Sequence, residues 1–248
     1  MTCEELLQIA SRIGRGLLES GAEAYRVENS VHYVIEAYDL GSCHVFSIPN
    51  YLHIDLTDQD GVTHSCMSRA SSMKSVDLEK LNALNALCRS IAQECPATEE
   101  ILRRLDEIES APQSLPLQIL SYAVGSAGFA LFWGGNALDS AAAAVIGCAV
   151  AVAMYGMGKL DTNLFYKSIL ASALSALLAC FFVFLGFGVH RSEIIIGVFM
   201  TLLPGVMITN FMREIIVGDW LTGITKLVEA LLIATGIALG TGIVLALI

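Results

Sequence analysis

Two short stretches hold most of the side chains that could do chemistry. In the first, Gly21-Ala22-Glu23-Ala24-Tyr25-Arg26-Val27-Glu28, two carboxylates flank a guanidinium. Glu23 and Arg26 stand three apart, the spacing that lets opposite charges meet on one helix face. Such pairs are common and weak when exposed, so this one reads as a structural or interdomain ion pair rather than as catalysis. The second stretch, residues 201–240, holds Pro204-Gly205, Asn210, Arg213, Glu214, Asp219 and Lys226 between two apolar runs. Pro204 removes one helical hydrogen bond and clashes with the preceding turn. In an apolar span the freed backbone groups persist only where protein, water or a polar cavity satisfies them, so the break is either a kink without a ligand or the lining of a site. Because cation, carboxylates and amide converge there, the stretch is taken as a substrate pathway. Arg213 would attract a carboxylate, with Glu214 and Asp219 orienting it or taking part in coupling. Asp139, near the outer end of another apolar run, is a further pathway candidate, although a headgroup position would also explain it.

A third group is weaker. His53, Asp55, His64 and Cys66 are zinc-type ligands, and they share a strand face if Gln59-Asp60 or Asp60-Gly61 forms a two-residue hairpin loop. Their spacing matches no compact zinc motif, so the expectation is polar, outward-facing strand positions and no metal. No Ser/His/Asp order and no phosphate-binding glycine loop appears, which predicts neither an enzyme nor a cofactor. A membrane-tethered hydrolase-like enzyme or a scaffold built on the front of the chain is the alternative reading.

These residues must be positioned by two very different halves. With 248 residues, 55% of them apolar, and a mean hydropathy of +0.64, the chain is too hydrophobic for an ordinary soluble domain. Residues 1–116 nevertheless carry nine Lys/Arg against eighteen Asp/Glu, and that acidity argues against a nucleic-acid partner. Seven scattered Cys give no disulfide framework. Leu6, Ile9, Ile13 and Leu17 recur at helical spacing, Gly21 ends that helix, and a second helix is expected over 29–38. Strands are expected over 43–48, 51–57 and 62–67, then a helix over 76–95 stopped by Pro96 and another from Thr98, its cap, to about Ser110. The fold class predicted is an α+β cytoplasmic N-terminal domain (1–96), a connecting helix and linker (97–116), and an α-helical transmembrane bundle of about five helices (117–248).

The spans fall near 117–136, 140–158, 165–188, 193–210 and 224–248, each about the ~20 residues that a bilayer core requires. Gly236 and Gly240 form a small-x3-small pattern suited to close helix packing. With the front domain in the cytoplasm, Lys159, Lys167, Arg213 and Lys226 lie on the inner side and only Arg191 lies outside. The odd span count leaves one half of a paired-repeat transporter without a counterpart.

Both charged stretches carry a family resemblance. The PG pair, the N-x-x-R-[DE] element, the GD pair and the glycine-rich last helix, with the G-A-E-x-x-R-x-E segment at Gly21, Glu23, Arg26 and Glu28, resemble the threonine/serine exporter family. Lys226 departs from an expected arginine. The resemblance implies a multi-pass protein of the bacterial inner membrane and a secondary transporter exporting threonine/serine or a dicarboxylate such as succinate; the loop charges place the N-terminus in the cytoplasm, and the carboxylates open to protonation point to proton coupling. It also implies a smaller hydrophobic partner subunit, as in the split form of the family where the larger chain resembles that of a two-component succinate exporter, and an oligomeric assembly.

Overall fold

The computed structural model describes residues 1–70, 76–111, 114–159 and 163–248. Pro112 and Gln113, in the expected linker, lie outside them. The chain forms α1 (Cys3–Glu19), α2 (Ala24–Glu36), β1 (Gly41–Ile48), β2 (Tyr51–Asp58), β3 (Thr63–Arg69), α3 (Leu78–Glu94), α4 (Thr98–Ser110), α5 (Leu115–Phe132), α6 (Ala137–Lys159), α7 (Leu164–Phe184), α8 (Arg191–Leu202), α9 (Gly205–Val217) and α10 (Trp220–Leu247). Two compact units result, one from Met1–Pro112 with Thr209–Lys226, the other from Gln113–Ile208 with Leu227–Ile248.

In the first unit, α1 opens with a capping box in which the Thr2 hydroxyl accepts from the Glu5 N–H and the Glu5 carboxylate accepts from the Thr2 N–H. Its stripe Leu6, Ile9, Ile13 and Leu17 is fully buried against Val27, Val31 and Val34 of α2, Leu52, Ile54 and Leu56 of β2, and Leu84 and Ile91 of α3. Truncating one of these side chains to alanine would cost about 2–5 kcal/mol. Two local expectations are corrected. Helix α2 begins at Ala24 rather than near 29, because Glu23 already stands in the extended N-cap conformation. Helix α4 is preceded by Ala97 as N-cap, so Thr98 is its first residue and caps nothing.

The sheet is antiparallel in the order β1-β2-β3. Its second hairpin pairs Thr57 with Thr63, and Asp58 N–H donates to Val62 C=O, so three residues, 59–61, form the loop, with Gly61 at φ +81°. A loop one residue longer than the two-residue turns considered above shifts the register by one and turns every β3 side chain over. His53 and Asp55 therefore sit opposite Met67 and Ser65 on the outer face, while His64 and Cys66 sit opposite Leu56 and Ile54 on the core-facing side. The four expected to share a face do not.

In the second unit, small residues make the inner contacts. Ala130, Ala142, Ala143, Ala171, Ala176 and Ala179 pack with Ile146, Val150, Ile194 and Val198. Gly240 of α10 lies so close to the Ile169 carbonyl and Ser172 hydroxyl of α7 that no β-carbon would fit, and Gly236 approaches Phe165 and Ser168 less tightly, a β-carbon there meeting them at 3.1–3.3 Å. Large apolar side chains such as Phe132, Leu170, Phe181, Leu231 and Ile243 stay exposed. This reversal of the water-soluble pattern suits lipid as the solvent. Helices α5, α6, α7 and α10 are long and apolar enough to cross a membrane, and α8 with α9 makes a fifth candidate span bent by 51° at Leu203-Pro204. Pro204 thus stands in the break between two helices, and Gly205 begins the second.

Candidate functional site

The two charged stretches, 190 residues apart, meet in the first unit, and each is built as a corner between helices. Helix α1 ends in a Schellman turn: Gly21 takes φ +91°, its N–H donates to Leu18 C=O, and Ala22 N–H donates to Leu17 C=O. Glu23 follows as N-cap of α2. The second corner repeats this construction, with Gly218 at φ +101°, its N–H donating to Ile215 C=O, and Asp219 N–H donating to Glu214 C=O. Asp219 then leads into α10, its carboxylate accepting from Thr222 N–H at 3.3 Å. Each motif is therefore a glycine that reverses the chain and an acid that starts the next helix. Gly223 lets α10 press against α9, where an added β-carbon would fall 2.6 Å from the Ile215 side chain.

Side chains of the second corner read the main chain of the first. Glu214, fully buried, accepts from Ala24 N–H at 2.9 Å, an orphan donor at the start of α2 where a negative charge is favoured. The same oxygen, Oε1, accepts from Lys226 Nζ at 2.9 Å, and Nζ also reaches Ala22 C=O at 3.4 Å. Asn210 Nδ2 reaches Gly21 C=O at 3.4 Å. Arg213 Nη1 donates to Glu23 Oε1 at 2.5 Å, and Arg26 Nε stands 2.7 Å from Glu23 Oε2. Glu23, Glu214 and Lys226 are buried, whereas the Arg213 side chain is 55% exposed. The burial is incompletely matched: among the described residues Glu214 Oε2 and the Thr222 hydroxyl have no hydrogen-bond partner. Glu28 accepts from Ser47 N–H at 2.8 Å. Burial pushes its carboxyl above the ordinary range against that hydrogen bond, and the charges of Asp219 and Glu214 add to the effect.

The structure thus brings together Gly21, Glu23, Arg26, Glu28, Asn210, Arg213, Glu214 and Asp219. Pro204 and Gly205 belong to the second unit. So does Asp139, whose buried carboxylate is wholly engaged: it accepts from Val189 N–H at 2.7 Å, His190 N–H at 3.1 Å, Asn136 N–H at 3.0 Å and the His190 ring at 2.8 Å, fastening the loop before α8 to the start of α6. Lys226 was noted in the sequence among the charged residues of the second stretch and as a departure from arginine, but not as a site residue, yet it is the buried cation of the network. Lys226 and Glu229, two ionisable side chains set into a long apolar run, were the signal that could have singled it out. Ser47 and Thr222 gave no such signal.

A unit in which the charged ends of apolar helices complete a small α+β fold, together with four or five helices of membrane length, defines a multi-pass membrane protein. The chain belongs to the threonine/serine exporter family: the family model described as a putative threonine/serine exporter matches residues 8–248. It is 25% identical over 243 residues to a probable threonine/serine exporter of Mycobacterium tuberculosis, covering 95% of this chain and 45% of that protein. It is 26% identical, over an alignment of 254 residues, to the threonine/serine exporter of Corynebacterium glutamicum, covering 96% of this chain and 50% of the relative. The chain spans about half the length of the curated relatives it matches. No solved structure matches it.

Proposed function

We propose that this chain is the larger part of a secondary exporter that carries threonine and serine, or a dicarboxylate such as succinate, out of the cell across the inner membrane, with the N-terminal unit in the cytoplasm. The observation that carries the reading is the Glu23–Arg213 contact. Glu23 holds Nη1 of a guanidinium whose side chain is 55% exposed, and on this reading its other donors take a substrate carboxylate. The buried Glu214–Lys226 pair beneath it fixes α9, and with it the arginine. Glu28, which holds its proton more tightly than an ordinary carboxyl, supports proton coupling at the same place. The break at Pro204-Gly205 would let backbone groups face a cavity, as broken helices do in other secondary transporters. A smaller hydrophobic subunit would supply the further spans, a reading supported by relatives about twice this length. The experiment is efflux of labelled threonine, serine and succinate from loaded cells expressing this chain with and without such a partner. Flux of one of them above the empty-vector level is expected, and no flux of any, with both chains verified in the membrane, overturns the proposal.

A further inference from the structure

The flipped register that separates His53 and Asp55 from His64 and Cys66 builds a different group. His64, on the core-facing side of β3, lies next to Asp58, the last residue of β2, and to Cys3, the first residue of α1. One ligand-type atom from each, a thiol sulfur, a carboxylate oxygen and an imidazole nitrogen, lies within 4.8 Å of the other two. Positions 3, 58 and 64 have no spacing that a sequence motif could report. They converge because α1 packs beside the sheet and the three-residue loop turns His64 inward.

The details fit a cation. Asp58 Oδ1 accepts from Val62 N–H at 2.9 Å and Asp60 N–H at 3.0 Å, so the loop's main chain clamps the carboxylate and presents Oδ2 to the group. His64 Nε2 lies 3.1 Å from that Oδ2. Two oxygen or nitrogen ligands of one tetrahedral zinc, each about 2.0–2.2 Å from the metal, stand about 3.3–3.6 Å apart. An ion could therefore take the place of the hydrogen now between them with little movement. Backbone donors that orient a ligating carboxylate are the outer-shell support that metal sites require. Cys3 is half-buried against the core and Asp58 and His64 are partly exposed, which leaves a side open for entry and for a water as fourth ligand.

We propose that Cys3, Asp58 and His64 bind a borderline divalent transition-metal ion, zinc(II) above all, tying the start of α1 to the β2–β3 hairpin. Thiolate, imidazole and carboxylate together favour zinc or cobalt over magnesium or calcium. On binding, the Cys3 thiol releases its proton to solvent and the sulfur takes the metal, while the His64 Nε2 proton leaves to solvent and Nδ1 takes one up, so that the ring ends neutral and ligates through the freed Nε2 lone pair in place of its hydrogen bond to Asp58.

The test uses the full chain, purified in detergent with its affinity tag removed, stripped with chelator and kept reduced. Cobalt(II) titration should reach saturation at one equivalent, with a near-ultraviolet thiolate-to-cobalt charge-transfer band that zinc(II) abolishes, and zinc(II) should raise the melting temperature. Cys3→Ser should remove the band. His64→Ala and Asp58→Asn should each weaken zinc binding by about 10–100-fold or more. Cys66→Ser and His53→Ala, on neighbouring strand positions, should change nothing. Absence of the charge-transfer band in the wild-type protein at saturating cobalt overturns the proposal whatever the variants do. So does zinc binding that survives unchanged in both Cys3→Ser and His64→Ala.

Discussion

Replacing Lys226 by methionine is the sharpest test of the network. Lys226 Nζ and Glu214 Oε1 are 2.9 Å apart, with side-chain exposures of 7% and 0%. Methionine keeps the length and apolar stem of lysine, so packing changes little. What remains is a buried carboxylate whose one hydrogen bond comes from Ala24 N–H and whose other oxygen has no partner. Breaking a buried ion pair from one side costs about 3–5 kcal/mol, because the surviving charge has lost its compensation. At roughly 2–4 °C per kcal/mol for a chain of this size, the melting temperature should fall by about 6–20 °C. Adding Glu214→Gln removes the stranded charge while its amide oxygen can still accept from Ala24, so the double variant should recover at least half of the loss. Thermal unfolding of the four detergent-purified proteins, followed by intrinsic fluorescence, gives the complete cycle. A shift below about 2 °C for Lys226→Met, or a double variant as unstable as the sum of the two singles, would refute the claim that these residues form a mutually compensating buried pair.

Arg213→Ala should reduce efflux while leaving membrane insertion intact, and Arg213→Lys should restore it only in part, since an ammonium cannot hold Glu23 and a substrate carboxylate with the planar fork of a guanidinium. Gly218→Val should lower the melting temperature by the equivalent of roughly 1–2 kcal/mol, because a side chain is placed at φ +101°. A compensating stabilisation by valine would contradict the corner geometry. Maleimide at pH 8 should label exposed Cys95 and spare Cys88, whose thiol is pushed up to about 12 by burial and so stays protonated; mass spectrometry of tryptic peptides reads both. A reporter fused after Ile248 should report the outer side of the membrane, and a cytoplasmic signal would reverse the orientation drawn from the loop charges.

How much of this could be seen in the sequence depended on the range of the interaction involved. The α1 stripe and the membrane-length runs were visible because periodicity and hydropathy are local. So was Gly21, since a helix that must reverse calls for a glycine. The face assignments of β3 failed on a single residue of loop length: composition marks a turn at Asp58–Gly61 but does not count the residues in it, and one residue inverts a strand. Thr98 misled because a good capping residue stood beside Ala97, which already had the extended conformation. Glu23 was read through its neighbour Arg26, which it does meet, but its second oxygen goes to Arg213, a partner that no window on the sequence can contain. The Cys3–Asp58–His64 group was hidden for the same reason.

The first unit is discontinuous along the chain, and this has a consequence in time. At a synthesis rate of roughly 5–20 residues per second, some 5–25 seconds separate the completion of α4 from the emergence of Lys226. Throughout that interval α1, α2, the sheet and α3 can collapse onto their apolar core, but the Gly21–Ala24 turn waits with its carbonyls and its amide unread. An acidic, half-finished surface is thus exposed to solvent or to whatever factor escorts the nascent chain, and it becomes quiet only when the last membrane helix arrives.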